Sequence, residues 1–182
     1  MQRVRAMEQG KRSGWAHFWL GVPVLAFLAM VDGAGVLRFG RARLGPDLVL
    51  VAVILWAFLG DAAAGAIWGF LGGLMLDTMS AAPFATHTVA MVAVGATLGA
   101  ARLSLYADDQ AWALVATVVS AAGYYALVIG LLLLQSWPVS LGASLRALVL
   151  PSVAIDAVTA LILLPVFRLM QRRLFAGPVA VT

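Results

Sequence analysis

Between Pro46 and Pro83 the chain reads PDLVLVAVILWAFLGDAAAGAIWGFLGGLMLDTMSAAP, an apolar run carrying three aspartates and a glycine ladder. Asp61, Gly65, Gly69, Gly73 and Asp77 follow one another at i+4 spacing. Four residues slightly exceed one helical turn, so on a helix these positions form one slowly drifting stripe. Glycines in such a stripe let a second helix approach closely in lipid, where association rests on packing and interhelical hydrogen bonds. An acid closing the stripe is costly near hydrocarbon and is kept for a partner or a function. The stretch therefore reads as a tightly packed membrane hairpin. Gly65, Gly69, Gly72 and Gly73 are its candidate helix-packing or partner interface.

Composition supports a membrane protein. The chain has 182 residues, of which 63% are hydrophobic and 11% charged. Soluble domains average about 25% charged residues, and no soluble fold of this size could hide so much apolar surface. Lipid must cover the outside. The length allows about six short helices and leaves no room for a soluble catalytic domain. There is no cysteine, which excludes disulfides, thiolate catalysis and cysteine metal sites. The pI near 10.3 could suggest nucleic acid. The basic residues instead sit at the two ends and in short loops beside apolar segments. That pattern fits membrane orientation and anionic lipid, so no nucleic-acid partner is expected.

Six apolar segments can be marked: Trp15 to Leu37, Asp47 to Leu59, Ala62 to Leu76, Phe84 to Ala101, Ala111 to Leu134 and Leu145 to Phe167. The first is long enough to span and lacks a good cleavage site, so it reads as a retained helix rather than a signal peptide. The second and third are shorter than the ~20 residues that an upright spanning helix needs. They either thin the bilayer locally or form a shielded hairpin that does not fully cross. The expected fold is all-α: one polytopic transmembrane domain over residues 15–174. A cytoplasmic segment, 1–14, and a cytoplasmic tail, 175–182, flank it.

Basic-residue counting sets the orientation. With both termini inside, Arg3, Arg5, Lys11, Arg12, Arg102, Arg168, Arg172 and Arg173 lie in the cytoplasm. Arg38, Arg41, Arg43 and Arg146 lie outside. Eight against four favours both termini in the cytoplasm. The RFGRAR loop from Arg38 to Arg43 is the misfit, explained either by simple tolerance or by an acidic partner segment.

Few residues could carry chemistry. Asp156 stands near the middle of the last segment, where a charge costs roughly 2.5–3.5 kcal/mol on insertion scales. It is either a hydrogen-bonded buried acid tying helices together or a proton or ion site. His87 begins a second stripe, through Met91, Gly95 and Gly99, and reads as a satisfied interfacial group. His17 has no spaced second ligand, and no cluster has metal-ligand spacing. Neither a metal nor a cofactor is expected. No nucleophile elbow, HExxH or Walker sequence is present. An Asp77–Asp156 protease dyad would need close approach and shared protonation, and neither acid sits in a protease motif. Asp77, at the end of the glycine helix and before Thr78, Ser80 and Pro83, is expected to support the turn. An acid at a helix C-terminus opposes the helix dipole and calls for a compensating donor.

Taken in order, Pro46–Asp47 before an apolar run, GAIWGFLGGLMLD from Gly65 to Asp77, the turn at Pro83 and LPSVAIDAVTALILLPVFRLMQRRL from Leu150 to Leu174 resemble the bacterial rod shape-determining membrane protein family MreD. The specific element is the glycine ladder closed by Asp77 and followed by the proline turn. Two departures stand out. Asp156 occupies a place where the family pattern leads one to expect a neutral polar residue such as asparagine. Phe84 and Ala85 follow Pro83 where a glycine is expected. The resemblance implies a non-catalytic part of the cell-wall elongation machinery in the cytoplasmic (inner) membrane. It implies binding to the single transmembrane helix of MreC, and through it action with MreB, the glycosyltransferase RodA and a class B penicillin-binding transpeptidase. A homo-oligomer stays open. The resemblance also implies a fold similar to the substrate-binding S-components of ECF vitamin transporters, which makes vitamin binding the alternative function. The aromatic candidates for such a pocket are Trp56, Trp68, Tyr124 and Tyr125.

Overall fold

The computed structural model describes residues 21–38, 44–101, 110–138, 142 and 148–175. Among them six helices account for nearly all the regular structure. They are α1 (Gly21–Ala34), α2 (Leu48–Leu59), α3 (Ala62–Met79), α4 (Thr86–Ala101), α5 (Gln110–Leu134) and α6 (Leu150–Phe175). Residues 1–20, most of the RFGRAR loop, the loop of Asp108 and Asp109, Arg146 and the tail beyond Phe175 lie outside the described residues. His17 and most of the residues behind the orientation count fall there.

Several boundaries differ from the sequence reading, among them those of the third and last helices. The last helix runs to Phe175 rather than Phe167, while the start expected at Leu145 lies outside the described residues. The third helix continues past Leu76 to Met79, because the chain breaks only where Ser80 adopts an extended conformation. Three helices, α3, α5 and the Leu150–Met170 part of α6, are long and apolar enough to cross a membrane. Helices α1, α2 and α4 are shorter apolar elements.

The short helix α2 is the axis of the bundle. Its sequence, LVLVAVILWAFL, is apolar all round, the pattern of a helix buried on every side. Ten of its 12 residues are buried. It packs against α3, α4, α5 and α6, and Leu25 and Leu28 of α1 flank Ala52 and Val53. The open question of whether the second segment crosses thus takes a different form. Twelve residues rise only about 18 Å, against a hydrocarbon thickness of about 30 Å. This helix faces protein, so it need not match the bilayer. The lipid side is left to exposed apolar residues such as Val115 and Val119 on α5 and Val158, Ile162 and Val166 on α6.

Helices α3 and α4 form an antiparallel pair joined by the turn at Pro83, whose carbonyl accepts from the Thr86 amide and hydroxyl. Ala85 in this turn has φ 71°, a left-handed backbone that favours glycine. It lies in the Phe84–Ala85 stretch where the family resemblance leads one to expect a glycine. Ala85→Gly is therefore expected to stabilise the protein by about 0.5–1 kcal/mol, the left-handed penalty of alanine less the added chain entropy. Thermal denaturation in detergent checks it, and a lower melting temperature would contradict it.

Candidate functional site

The two stripes singled out in the sequence face one another. Going along α3, Asp61, Gly65, Gly69 and Gly73 meet, on α4, Gly99, Gly95, Met91 and Thr88 with His87. The contacts are backbone to backbone. A Cβ at Gly65 would lie 2.6 Å from the Gly95 carbonyl carbon, and one at Gly69 would lie 2.7 Å from the Met91 carbonyl carbon. One at Gly73 would lie 2.7 Å from the Thr88 nitrogen. Gly72 points the other way, where a Cβ would stand 2.9 Å from Val49 and 3.1 Å from Val53 of α2. The ladder thus joins α3 to α4, and Gly72 seats α3 on α2. Of the two uses left open by the sequence, packing within the chain occupies this face. The helix-packing use of Gly65, Gly69 and Gly73 is the one seen here, with α4 filling their face.

At one end of the bundle, four aspartates serve helix N-termini. The first N–H groups of a helix have no partner within it. For α2 three of them are met by three different acids. Asp47 caps its own helix, accepting from the Leu50 amide at 2.9 Å. Asp32, near the C-terminus of α1, accepts from the Val49 amide at 3.0 Å. Asp156, from within α6, accepts from the Asp47 amide at 2.8 Å. The second Asp156 oxygen accepts from the Tyr125 hydroxyl at 2.8 Å, and the residue is 0% exposed. Pro46, directly before the cap, has no N–H to satisfy.

The fourth aspartate, Asp77, is 5% exposed and does for α4 what these do for α2. It accepts from the His87 amide at 2.9 Å, the Thr88 amide at 3.0 Å and the Thr88 hydroxyl at 2.6 Å. An acid at the C-terminus of its own helix is thereby placed at the N-terminus of the next, where the dipole favours it. Each buried donor left without its acceptor costs about 1–3 kcal/mol. Asp77→Ala should therefore lose most of the folded protein recovered in detergent. Asp77→Asn, which keeps one acceptor oxygen, should fall between it and the parent. Equal recovery of all three would contradict this assignment.

His87 completes the layer. Its Nδ1 is 2.7 Å from the Tyr124 hydroxyl and its Nε2 is 3.3 Å from the Ser80 hydroxyl. Tyr124 packs edge-on against Tyr125, with ring centroids 5.2 Å apart. Asp77 and Asp156 serve the ends of different helices, which is not the arrangement of a protease dyad. Among the described residues no group of three His, Cys, Asp or Glu side chains is placed to hold a metal ion. The four aromatic candidates do not line one cavity. Trp56 and Trp68 pack together at 4.8 Å near the other end of α2, around a void of about 10 Å³. Tyr124 is 2% exposed, and only Tyr125 lines a larger cleft.

Asp32 is a structural acid that the sequence analysis did not single out. An aspartate inside an apolar run of 23 residues was the available signal.

Comparison with known proteins bears on identity. A family model described as rod shape-determining protein MreD matches residues 15–174. No curated protein and no solved structure matches the chain, so the implied likeness to ECF S-components gains no support from a solved fold. The apolar helices, their mutual packing and a family match over nearly the whole chain agree: this membrane protein belongs to the MreD family of rod shape-determining proteins.

Proposed function

We propose that the protein is a non-catalytic membrane component of the cell-elongation complex, binding the transmembrane helix of MreC in the inner membrane. The family match over residues 15–174 carries this reading. Through MreC the protein acts with MreB, RodA and the class B transpeptidase. Both termini lie in the cytoplasm, so a Thr182→Cys variant should resist an impermeant external thiol reagent.

The glycine ladder is occupied, so the partner helix needs another face. A groove of about 510 Å³ between α4 and α5 offers one. Thr97, Ala101, Ala116, Ser120 and Gly123 line it with small side chains, and Trp112 lines it too. A Cβ at Gly123 would meet nothing within 4 Å, so the backbone there is open to an incoming helix. Small residues and hydroxyls are what a helix docking in lipid requires. The chain has no native cysteine, so single cysteines at Thr97 and Val119 can be oxidised against a scan of the MreC helix. Cross-links at both positions, and none from Ile162 on α6, are expected. Co-purification without any cross-link to the groove would move the interface elsewhere, and no co-purification at all would refute the partner.

A further inference from the structure

A cleft of about 490 Å³ opens at the end of the bundle where the aspartates gather, between the segment before α2 and the walls of α5 and α6. Its volume lies in the range of roughly 300–1,000 Å³ that small-molecule sites occupy. Half-buried Asp47, Tyr125 and Ser152 form its inner part, while exposed Arg38 and Leu148 stand at its rim. Val128 and Leu132 continue the apolar wall from Leu148 along α5.

The Arg38 guanidinium and the Asp47 carboxyl both line this space without closing on each other. One Asp47 oxygen takes the Leu50 amide, and no hydrogen bond among the described residues reaches the other. Arg38 lies within electrostatic reach of Asp32 and Asp47, yet among the described residues it forms no ion pair with either. Charges beside hydrocarbon are costly unless they are met by partners. A ligand fitting this cleft carries a hydrogen-bond donor such as an ammonium for the free Asp47 oxygen, an anion for Arg38 and an apolar body.

We propose that the cleft binds a zwitterionic aminophospholipid, with its ammonium on Asp47, its phosphate on Arg38 and an acyl chain along Val128, Leu132 and Leu148. The continuity of the apolar wall with the lipid-facing surface selects a phospholipid over a free solute. Such recognition combines charge-assisted hydrogen bonds with burial of the chain. It is separate from partner binding, because the cleft lies between α5 and α6 and not in the α4–α5 groove.

Native mass spectrometry of the purified chain, offered equal amounts of phosphatidylethanolamine and phosphatidylglycerol, tests this directly. The expected result is about tenfold greater retention of phosphatidylethanolamine. Arg38→Gln and Asp47→Asn should each bring the two lipids towards parity; asparagine caps a helix as well as aspartate, so the fold is kept. Val128→Trp, which fills the cleft, should abolish retention. Equal retention of both lipids by the parent chain, or unchanged retention by Val128→Trp, would overturn the proposal. Displacement of the lipid by free phosphoethanolamine at matching concentration would assign the cleft to a soluble zwitterion and overturn the lipid reading. If Asp47→Asn fails to fold, Arg38→Gln decides the charge requirement alone.

Discussion

Gly69→Ala and Gly73→Ala should each cost the folded protein about 2–3 kcal/mol, the upper part of the range for overpacking a dense contact. The new methyl groups would press on the backbone of Met91 and of Thr88, at 2.7 Å in each case. A side chain could rotate away; a helix backbone cannot, so α3 and α4 must move apart along their whole contact. Alanine's better helix propensity returns at most about 1 kcal/mol. Gly123→Ala supplies the internal control. Its Cβ meets nothing within 4 Å, so it should be neutral or slightly stabilising in the isolated protein. Melting curves in detergent for the three variants make the comparison. Parental stability in both Gly69→Ala and Gly73→Ala would mean that the close contact does not exist.

The second large effect concerns Asp156. Asp156→Leu would strip the acceptor from the Asp47 amide and from the Tyr125 hydroxyl, both within the helical bundle. Two donors left without partners, each at about 1–3 kcal/mol, predict a loss of several kcal/mol and little folded protein. Asp156→Asn should recover most of that stability. Its side-chain oxygen can still accept from the Asp47 amide, and its amide group can donate to the tyrosine oxygen. If leucine proves as stable as asparagine, the bonds at the end of α2 do not hold the bundle together.

The legible part of this structure was its periodicity. The i+4 stripes of α3 and α4 were visible as strings of glycine, and each string names half of one contact. That they meet each other was not visible, because a stripe of small residues looks the same whether its partner lies in this chain or in another. The helix ends at Leu59 and Ala101 were readable from Gly60 and the polar loop. The end of α6 was not, because the helix continues past the apolar run, beyond Arg168, to Phe175. The central place of α2 was written in its uniform apolarity, although its shortness drew attention first. The convergence of Asp32, Asp47 and Asp156 was beyond reach. It depends on three segments meeting at one helix end, those of Asp47 and Asp156 lying 109 residues apart. Sequence alone gives an intramembrane acid no partner, and only the packed bundle shows that the partners are backbone amides.

Cell shape tests the account most directly. Depleting this protein in a rod-shaped host that carries its gene should give round cells. Resupplying the parent chain should restore rods, whereas Gly73→Ala should not. A substrate-binding component of a vitamin transporter would behave differently, since its loss would leave shape intact and be cured by one added nutrient. Normal rods with a nutrient requirement after depletion would contradict the shape-complex account and put the transporter reading in its place.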